Sequence, residues 1–156
     1  MQQHNITYRL ATETDLELYY QWANDKDVRD NSFSPTAILP EDHSKWFLNK
    51  IKSDNALLLV FFCDANPVGQ LRLDIVNDNI AEIDYSVASG HRGKRLGQQF
   101  LMIGRALAKK LNPALVIKGV VKTTNIHSAK AFQAAGFVKK GEEEIKDIWC
   151  HLFYSE

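Results

Sequence analysis

Residues 80–101 read I-A-E-I-D-Y-S-V-A-S-G-H-R-G-K-R-L-G-Q-Q-F-L. Over Ile80 to Val87 the side chains alternate: Ile83, Tyr85 and Val87 are apolar, while Glu82, Asp84 and Ser86 point the other way. A period of two is that of a strand with one greasy and one polar face. The chain then turns through a short basic segment holding Gly90, His91, Arg92, Gly93, Lys94, Arg95 and Gly97. From Gly97 the period changes, with Phe100, Leu101, Gly104, Leu107, Ala108 and Leu111 at helical spacing. A strand feeding a Gly- and Arg/Lys-containing turn that opens a helix suits phosphate. The first N–H groups of a helix have no intrahelical partner, and the positive end of its dipole faces the turn. Gly93 and Gly97 let the backbone approach an anion, and Arg92, Lys94 and Arg95 add charge. Neither G-x-x-x-x-G-K-[ST] nor G-x-G-x-x-G is present, so neither a P-loop nor a dinucleotide-binding unit is indicated.

Outward from this stretch the same reading gives the rest of the fold. Upstream, Asn77-Asp78-Asn79 turns back to a strand over Val68 to Val76, where Leu71, Leu73 and Ile75 alternate with Gln70, Arg72 and Asp74. Before the turn at Asp64-Ala65-Asn66-Pro67, Asn55 to Cys63 is a continuous apolar run, the signature of a strand covered on both faces. These three strands form an antiparallel meander. Downstream, Asn112-Pro113 stops the helix and Ala114 to Val121 is a β-branched strand, reached by a right-handed crossover and parallel to its neighbour. Asn125 caps a short helix through Ala135, Gly136 ends it, and Phe137 to Ile145 and Ile148 to Tyr154 are two last strands. At the other end, Ile6 to Leu10 is a strand and Thr12 to Asp15 a capping box opening a helix through Trp22. A polar stretch to Phe33 and a loop at Ser34-Pro35 lead to a second helix over Glu41 to Lys52. The order β-α-α-β-β-β-α-β-α-β-β predicts a mixed α/β domain over residues 1–156, with helices on both faces of a partly antiparallel sheet.

Composition bounds the function. At 156 residues, 45% hydrophobic and 24% charged, the chain reads as one globular domain able to bury a core. Its 19 Lys+Arg balance 19 Asp+Glu, so no global field recruits nucleic acid or an anionic membrane. The opening M-Q-Q-H-N-I-T-Y has no apolar signal run and no span approaches membrane length, so a cytoplasmic protein is expected. Cys63 and Cys150 sit in apolar runs and read as reduced core thiols, with no metal-ligand spacing to the histidines.

The segment Arg92-Gly93-Lys94-Arg95-Leu96-Gly97 resembles the acyl-CoA loop, [QR]-x-x-G-x-[GA], of the GNAT superfamily of N-acetyltransferases. It departs at Arg95, where that family usually has Gly. Asn125 to Phe137, N-I-H-S-A-K-A-F-Q-A-A-G-F, is similar to the family's N-x-x-[AS]-x-x-x-[YF]-x-x-x-G-F, and the element order is also the GNAT order. The resemblance implies acetyl-CoA as donor, no metal, and direct attack by an amine without a covalent enzyme intermediate. It implies donor contacts from Tyr85, Ser86, Val87, Arg92, Gly93, Lys94, Arg95, Leu96, Gly97, Gln98, Asn125, Ser128 and Phe132. It further implies a bulge in the central strand that aims the Val87 N–H at the thioester oxygen, and a pantetheine arm lying between that strand and the next. Phe132 stands where the family often has a Tyr that protonates the thiolate, which leaves Tyr85, Tyr154 and a water as candidates.

An ammonium acceptor must lose a proton before it attacks. A carboxylate on the polar strand face suits this, and the resemblance points to Glu82, with His43 the alternative because imidazole titrates near neutrality. The stretches W-A-N-D-K-D-V-R-D-N-S-F, from Trp22, and E-D-H-S-K-W-F, from Glu41, resemble segments of amino-sugar acetyltransferases of pseudaminic acid and related glycan pathways. That implies Arg29, Asn31, Phe33 and Trp46 as acceptor contacts, and as acceptor the 4-amino group of a nucleotide-linked, for instance UDP-linked, deoxyamino sugar. A protein N-terminal or polyamine acetyltransferase is the rival enzyme. A catalytically silent acyl-CoA-binding module is the rival of another class, kept open by Phe132 and Arg95.

Overall fold

The computed structural model describes residues 5–155. Its elements in chain order are β1 (Ile6–Leu10), α1 (Leu16–Ala23), α2 (Lys26–Asp30), α3 (Pro40–Lys52), β2 (Ala56–Cys63), β3 (Asn66–Ile75), β4 (Ile80–Val87), α4 (Leu96–Leu111), β5 (Val116–Lys122), α5 (Ile126–Ala134), β6 (Val138–Ile145) and β7 (Ile148–Tyr154). The strands form one sheet in the order β1-β2-β3-β4-β5-β7-β6. β1 to β4 pair antiparallel, β4 and β5 parallel through the α4 crossover, and β7 lies antiparallel between β5 and β6.

The apolar run of β2 is covered on both faces, as its composition requires. Leu59 and Phe61 join the larger core with Phe100 and Leu101 of α4, while Leu58 and Val60 meet Tyr19 of α1 and Phe47 of α3. The phase of β4 follows: Ala81 and Ile83 are buried in the α4/α5 core, and Glu82 and Asp84 are exposed on the opposite face. The helix at Thr12 starts as expected, with the Thr12 N–H donating to Asp15 Oδ2 at 2.8 Å and Arg9 clamping that carboxylate.

Two features differ from the sequence reading. The polar stretch after Trp22 contains α2, started by Asp25, whose side chain accepts from the N–H groups of Asp27 and Val28. Five residues are too few to display a helical period. The second difference is in β4. Its ladder with β3 runs from Gly69↔Val87 to Ile75↔Ala81 without a register shift, so the expected bulge is absent from this ladder. The opening beside β4 arises from β5, which is in register only with Ile80, Ala81 and Glu82.

Candidate active site

From Ile83 onward β4 and β5 have no register partners in each other, and the sheet is splayed. The Ala88 N–H donates to Val68 C=O at 2.8 Å, on the β3 side. Antiparallel alternation therefore turns the Val87 N–H the other way, into the splay. At the end of β4 the chain turns into α4, 16 residues long, whose first N–H groups face this opening. Gly93 has φ +80° and Arg95 φ +61°. Arg95 thus holds the left-handed backbone that a glycine adopts freely, at a cost of about 1–2 kcal/mol, and its side chain is exposed beside Lys94. A gap where an extended arm can lie, an outward N–H and a positive helix end with exposed cations fit an acyl-CoA. Gln98 and Asn125 are partly committed to the scaffold: Gln98 Nε2 donates to Ala134 C=O at 3.4 Å, and Asn125 Oδ1 accepts the Ser128 N–H at 3.2 Å. Phe132 is only 2% exposed, stacked on Phe153 and edge-on to Phe137, so the expected donor contact is drawn into the core.

Arg92 takes a part that the basic turn did not announce. Its guanidinium donates to Asp25 Oδ2 at 2.7 Å, to Asp27 Oδ2 at 2.9 Å and to the Val87 C=O at 3.1 Å. These bonds tie the turn to the α1–α2 connection. Burial raises the Asp25 pKa, but Arg92 and the two backbone N–H groups outweigh that and leave it below the ordinary carboxylate value. If Arg92 is a tether, Asp25→Asn should reproduce the effect of Arg92→Ala: KM for acetyl-CoA raised roughly tenfold, about 1.4 kcal/mol, with Tm lowered in both. A rise confined to Arg92→Ala in steady-state kinetics would instead mark Arg92 as a phosphate ligand.

On the other face of β4, a cavity of about 450 Å³ opens between the sheet, α1, α2 and α3. Trp22 and Trp46 give it aromatic walls, and Asp42, Asp84, Gln70, Ser86, Arg29 and Arg72 give it polar ones. A smaller cavity of about 200 Å³ shares Trp22, Val28 and Ser86 with it and reaches Val87 and Ala88. The two cavities are therefore neighbours, and the smaller one borders Val87. Asp84 has a side chain 54% exposed, with Gln70 Nε2 at 3.3 Å and Arg72 Nη1 at 3.8 Å. Gln70 also donates to Ser86 Oγ at 3.1 Å, and its buried Oε1 has no hydrogen-bond partner among the described residues. Arg72 is held by Asp74 at 2.7 Å and lies over the Trp46 ring.

Glu82 shares this strand face but is not among the residues that line the cavity. It lies two residues back along β4, about 7 Å, in register with Asp74 and Lys118. His43, expected as an alternative base, is 2% exposed and packed among Tyr20, Trp46 and Phe47, with Nε2 3.3 Å from Leu16 C=O. Burial holds its pKa below the ordinary histidine value, and although packed in this aromatic cluster it also borders the cavity. Of the acceptor contacts, Trp46 and Arg29 line the cavity, but Arg29 is occupied by Ala23 C=O, Ser34 C=O and Ser32 Oγ. Asn31 donates to Asp27 C=O, and Phe33 lies under Lys146; neither lines the cavity. Gln70, Arg72 and Asp42 were missed. The alternation Gln70-Arg72-Asp74 already put two of them on the polar face of β3.

Among the described residues there is no group of three or more His, Cys, Asp or Glu side chains that could hold a metal ion, and no helix is long and apolar enough to cross a membrane. The acetyltransferase (GNAT) domain family matches residues 5–138. No curated protein matches in sequence. Among solved structures, the chain is similar to spermidine N-acetyltransferase from Vibrio cholerae in complex with CoA and spermine, with TM-score 0.86 and 17% identity over 96% of this chain and 94% of that one. It is also similar to aminoglycoside acetyltransferase AAC(6')-Ib with coenzyme A and kanamycin, with TM-score 0.82 and 19% identity over 97% and 94%. A domain from Methanocaldococcus jannaschii gives TM-score 0.82 and 19% identity over 97% and 99%. At such identities the solved structures speak for the fold, while the family match spans most of the chain. The chain belongs to the acetyltransferase (GNAT) domain family, as an acetyl-CoA-dependent N-acetyltransferase.

Proposed function

We propose that the acceptor is the primary amine of a deoxyamino sugar, with the 4-amino group of a nucleotide-linked sugar as the leading form, and that Asp84 is the base. The observation that supports this most is the make-up of the cavity. Two tryptophans wall it, and its two carboxylates, Asp42 and Asp84, are matched in number by two guanidinium groups, Arg29 and Arg72, with Arg72 3.8 Å from Asp84. Aromatic faces suit a sugar ring, and compensated charge does not favour a polycation. Asp84 stands inside the cavity three positions before Val87 and takes the ammonium proton directly or through a water. The Val87 N–H receives the developing charge on the carbonyl oxygen. Arg29 and Asn31, expected as acceptor contacts through donors to hydroxyls or a diphosphate, are engaged within the protein, so the ring faces carry more of the recognition than these donors.

The polyamine reading draws on the exposed carboxylate of Asp84 and on the shared fold with spermidine N-acetyltransferase. Thioester consumption measured against UDP-linked 4-amino-4,6-dideoxy sugars, free amino sugars, spermidine and peptide N-termini separates them. We expect kcat/KM for an amino sugar to exceed that for spermidine by roughly 100-fold, about 2.7 kcal/mol. A preference for spermidine sinks the sugar assignment and leaves the acetyltransferase intact.

A further inference from the structure

Amide formation leaves a sulfur behind, and the aromatic core beneath this part of β4 cannot protonate it. Phe132, Phe137 and Phe153 are each 4% exposed or less and pack against one another, and none has a proton to give. One hydroxyl pair lies beside this cluster, next to Phe132. Tyr85 Oη and Ser128 Oγ lie 3.0 Å apart and join β4 to the first turn of α5, over the stretch where β4 and β5 are unpaired.

Packing fixes both members. The Tyr85 ring lies edge-on to Phe132 at 5.9 Å between centroids. On its other side it rests against Gly97, where a Cβ would come within 2.9 Å of the ring. Gly97 is therefore demanded by the tyrosine, apart from any service to an anion. Ser128 is positioned by the bond from its N–H to Asn125 Oδ1. Burial raises the Tyr85 pKa above the ordinary tyrosine value, against a smaller opposing pull from Ser128, so the hydroxyl keeps its proton through the neutral range. Tyr85 also stands two positions before Val87, whose N–H faces the same opening, and the departing sulfur is bonded to the carbon whose oxygen that N–H receives.

We propose that the Tyr85 hydroxyl is the acid that protonates the departing thiolate, with Ser128 as the relay that restores its proton. The proposal rests on the amine acetylation described above. The amine lone pair forms the C–N bond, the C–S bond breaks with its electrons on sulfur, and the Tyr85 proton goes to that sulfur. Ser128 passes its proton to the tyrosine oxygen and is reprotonated from solvent. Asp84 takes two protons in turn, one from the ammonium before attack and one from the nitrogen once the C–N bond has formed, and hands each to solvent. One of the two replaces the proton drawn through Ser128, so the sum is an amide, a thiol and one released proton, with nothing oxidised or reduced.

A thiol of pKa about 8.5 leaves tolerably as an anion, so the acid is worth less here than elsewhere. Tyr85→Phe in the full chain is expected to lower kcat by roughly 10- to 100-fold with acetyl-CoA, at the low end of general-acid catalysis. The oxygen ester of the same donor, differing only at the sulfur, releases an alkoxide whose parent is about as weak an acid as water, with pKa ~15.7. With it the variant should lose at least about tenfold more. A hydroxyl that only positions the substrate would lower both rates equally. Ser128→Ala should act in the same sense and less strongly, with CoA affinity by calorimetry within about threefold of wild type in both. Hydroxylamine serves as acceptor, since it needs no shaped cavity, and the comparison then stands whether or not the sugar assignment does. An unchanged kcat in Tyr85→Phe, or equal losses with the two donors, overturns the proposal. If Tyr85→Phe fails to fold or to bind CoA, the Ser128→Ala comparison decides it by the same criterion. Absence of turnover with every amine, hydroxylamine included, overturns both this proposal and the reading beneath it.

Discussion

Replacing Asp84 by Asn lowers kcat by roughly 10²- to 10⁴-fold, the usual value of a positioned base, while Glu82→Gln stays within about twofold of wild type. The amide keeps the size of the carboxylate and still accepts from Gln70 Nε2, now 3.3 Å from Asp84 Oδ2. Arg72 keeps Asp74 at 2.7 Å. Fold and acceptor binding should therefore change little, and the loss should fall on kcat rather than KM. A second readout follows from the chemistry. Without a base, the enzyme must draw on the fraction of acceptor that is already deprotonated, which rises about tenfold per pH unit below the pKa of the acceptor amine. The Asp84→Asn rate should climb with pH at unit slope where the wild type levels off. If Glu82→Gln carries the loss, the base is Glu82 and the proton path runs about 7 Å further along β4.

The contrast between these two carboxylates shows where the sequence stops being readable. Alternation along β4 puts Glu82, Asp84 and Ser86 on one face, and the strand phase is as expected. How far along that face the cavity extends depends on Trp22 and Trp46, brought in by α1 and α3. No local period encodes that packing. The same limit hides the partners of Arg92. A basic turn reads as a phosphate cradle whatever lies opposite, and Asp25 and Asp27 stand 67 and 65 residues earlier in the chain. By contrast, β2 was legible because a run without polar residues can be satisfied in only one way, by cover on both faces. The insertion of β7 between β5 and β6 had no such signal, since a hairpin of two similar strands can pair by either member. Two glycines were legible as glycines but not for their reason: Gly97, in the first turn of α4, makes room for Tyr85, and Gly119, in β5, for Phe132.

Gly69→Ala is the corresponding test of the scaffold, and a single added methyl should destabilise the protein by about 1–3 kcal/mol, the usual cost of overpacking. Gly69 is in register with Val87, and a Cβ there would overlap both the Ser86 carbonyl oxygen and the Phe100 ring. Neither neighbour can step aside cheaply. Phe100 is 0% exposed and stacked on Phe61 with ring centroids 4.0 Å apart. The carbonyl oxygen belongs to the β4 backbone one residue before Val87, so relief at this point means moving the strand that carries the outward N–H. At about 2–4 °C per kcal/mol for a chain of this size, the loss is visible as a lower Tm, and misalignment of that N–H should lower kcat as well. Gly141→Ala is the control, since a Cβ at that position meets nothing within 4 Å and the Gly141 backbone is not left-handed. A Gly69→Ala protein that melts and turns over like wild type would mean that β3 and β4 are not packed as closely as the ladder from Gly69↔Val87 requires, and the placement of the Val87 N–H would fall with it.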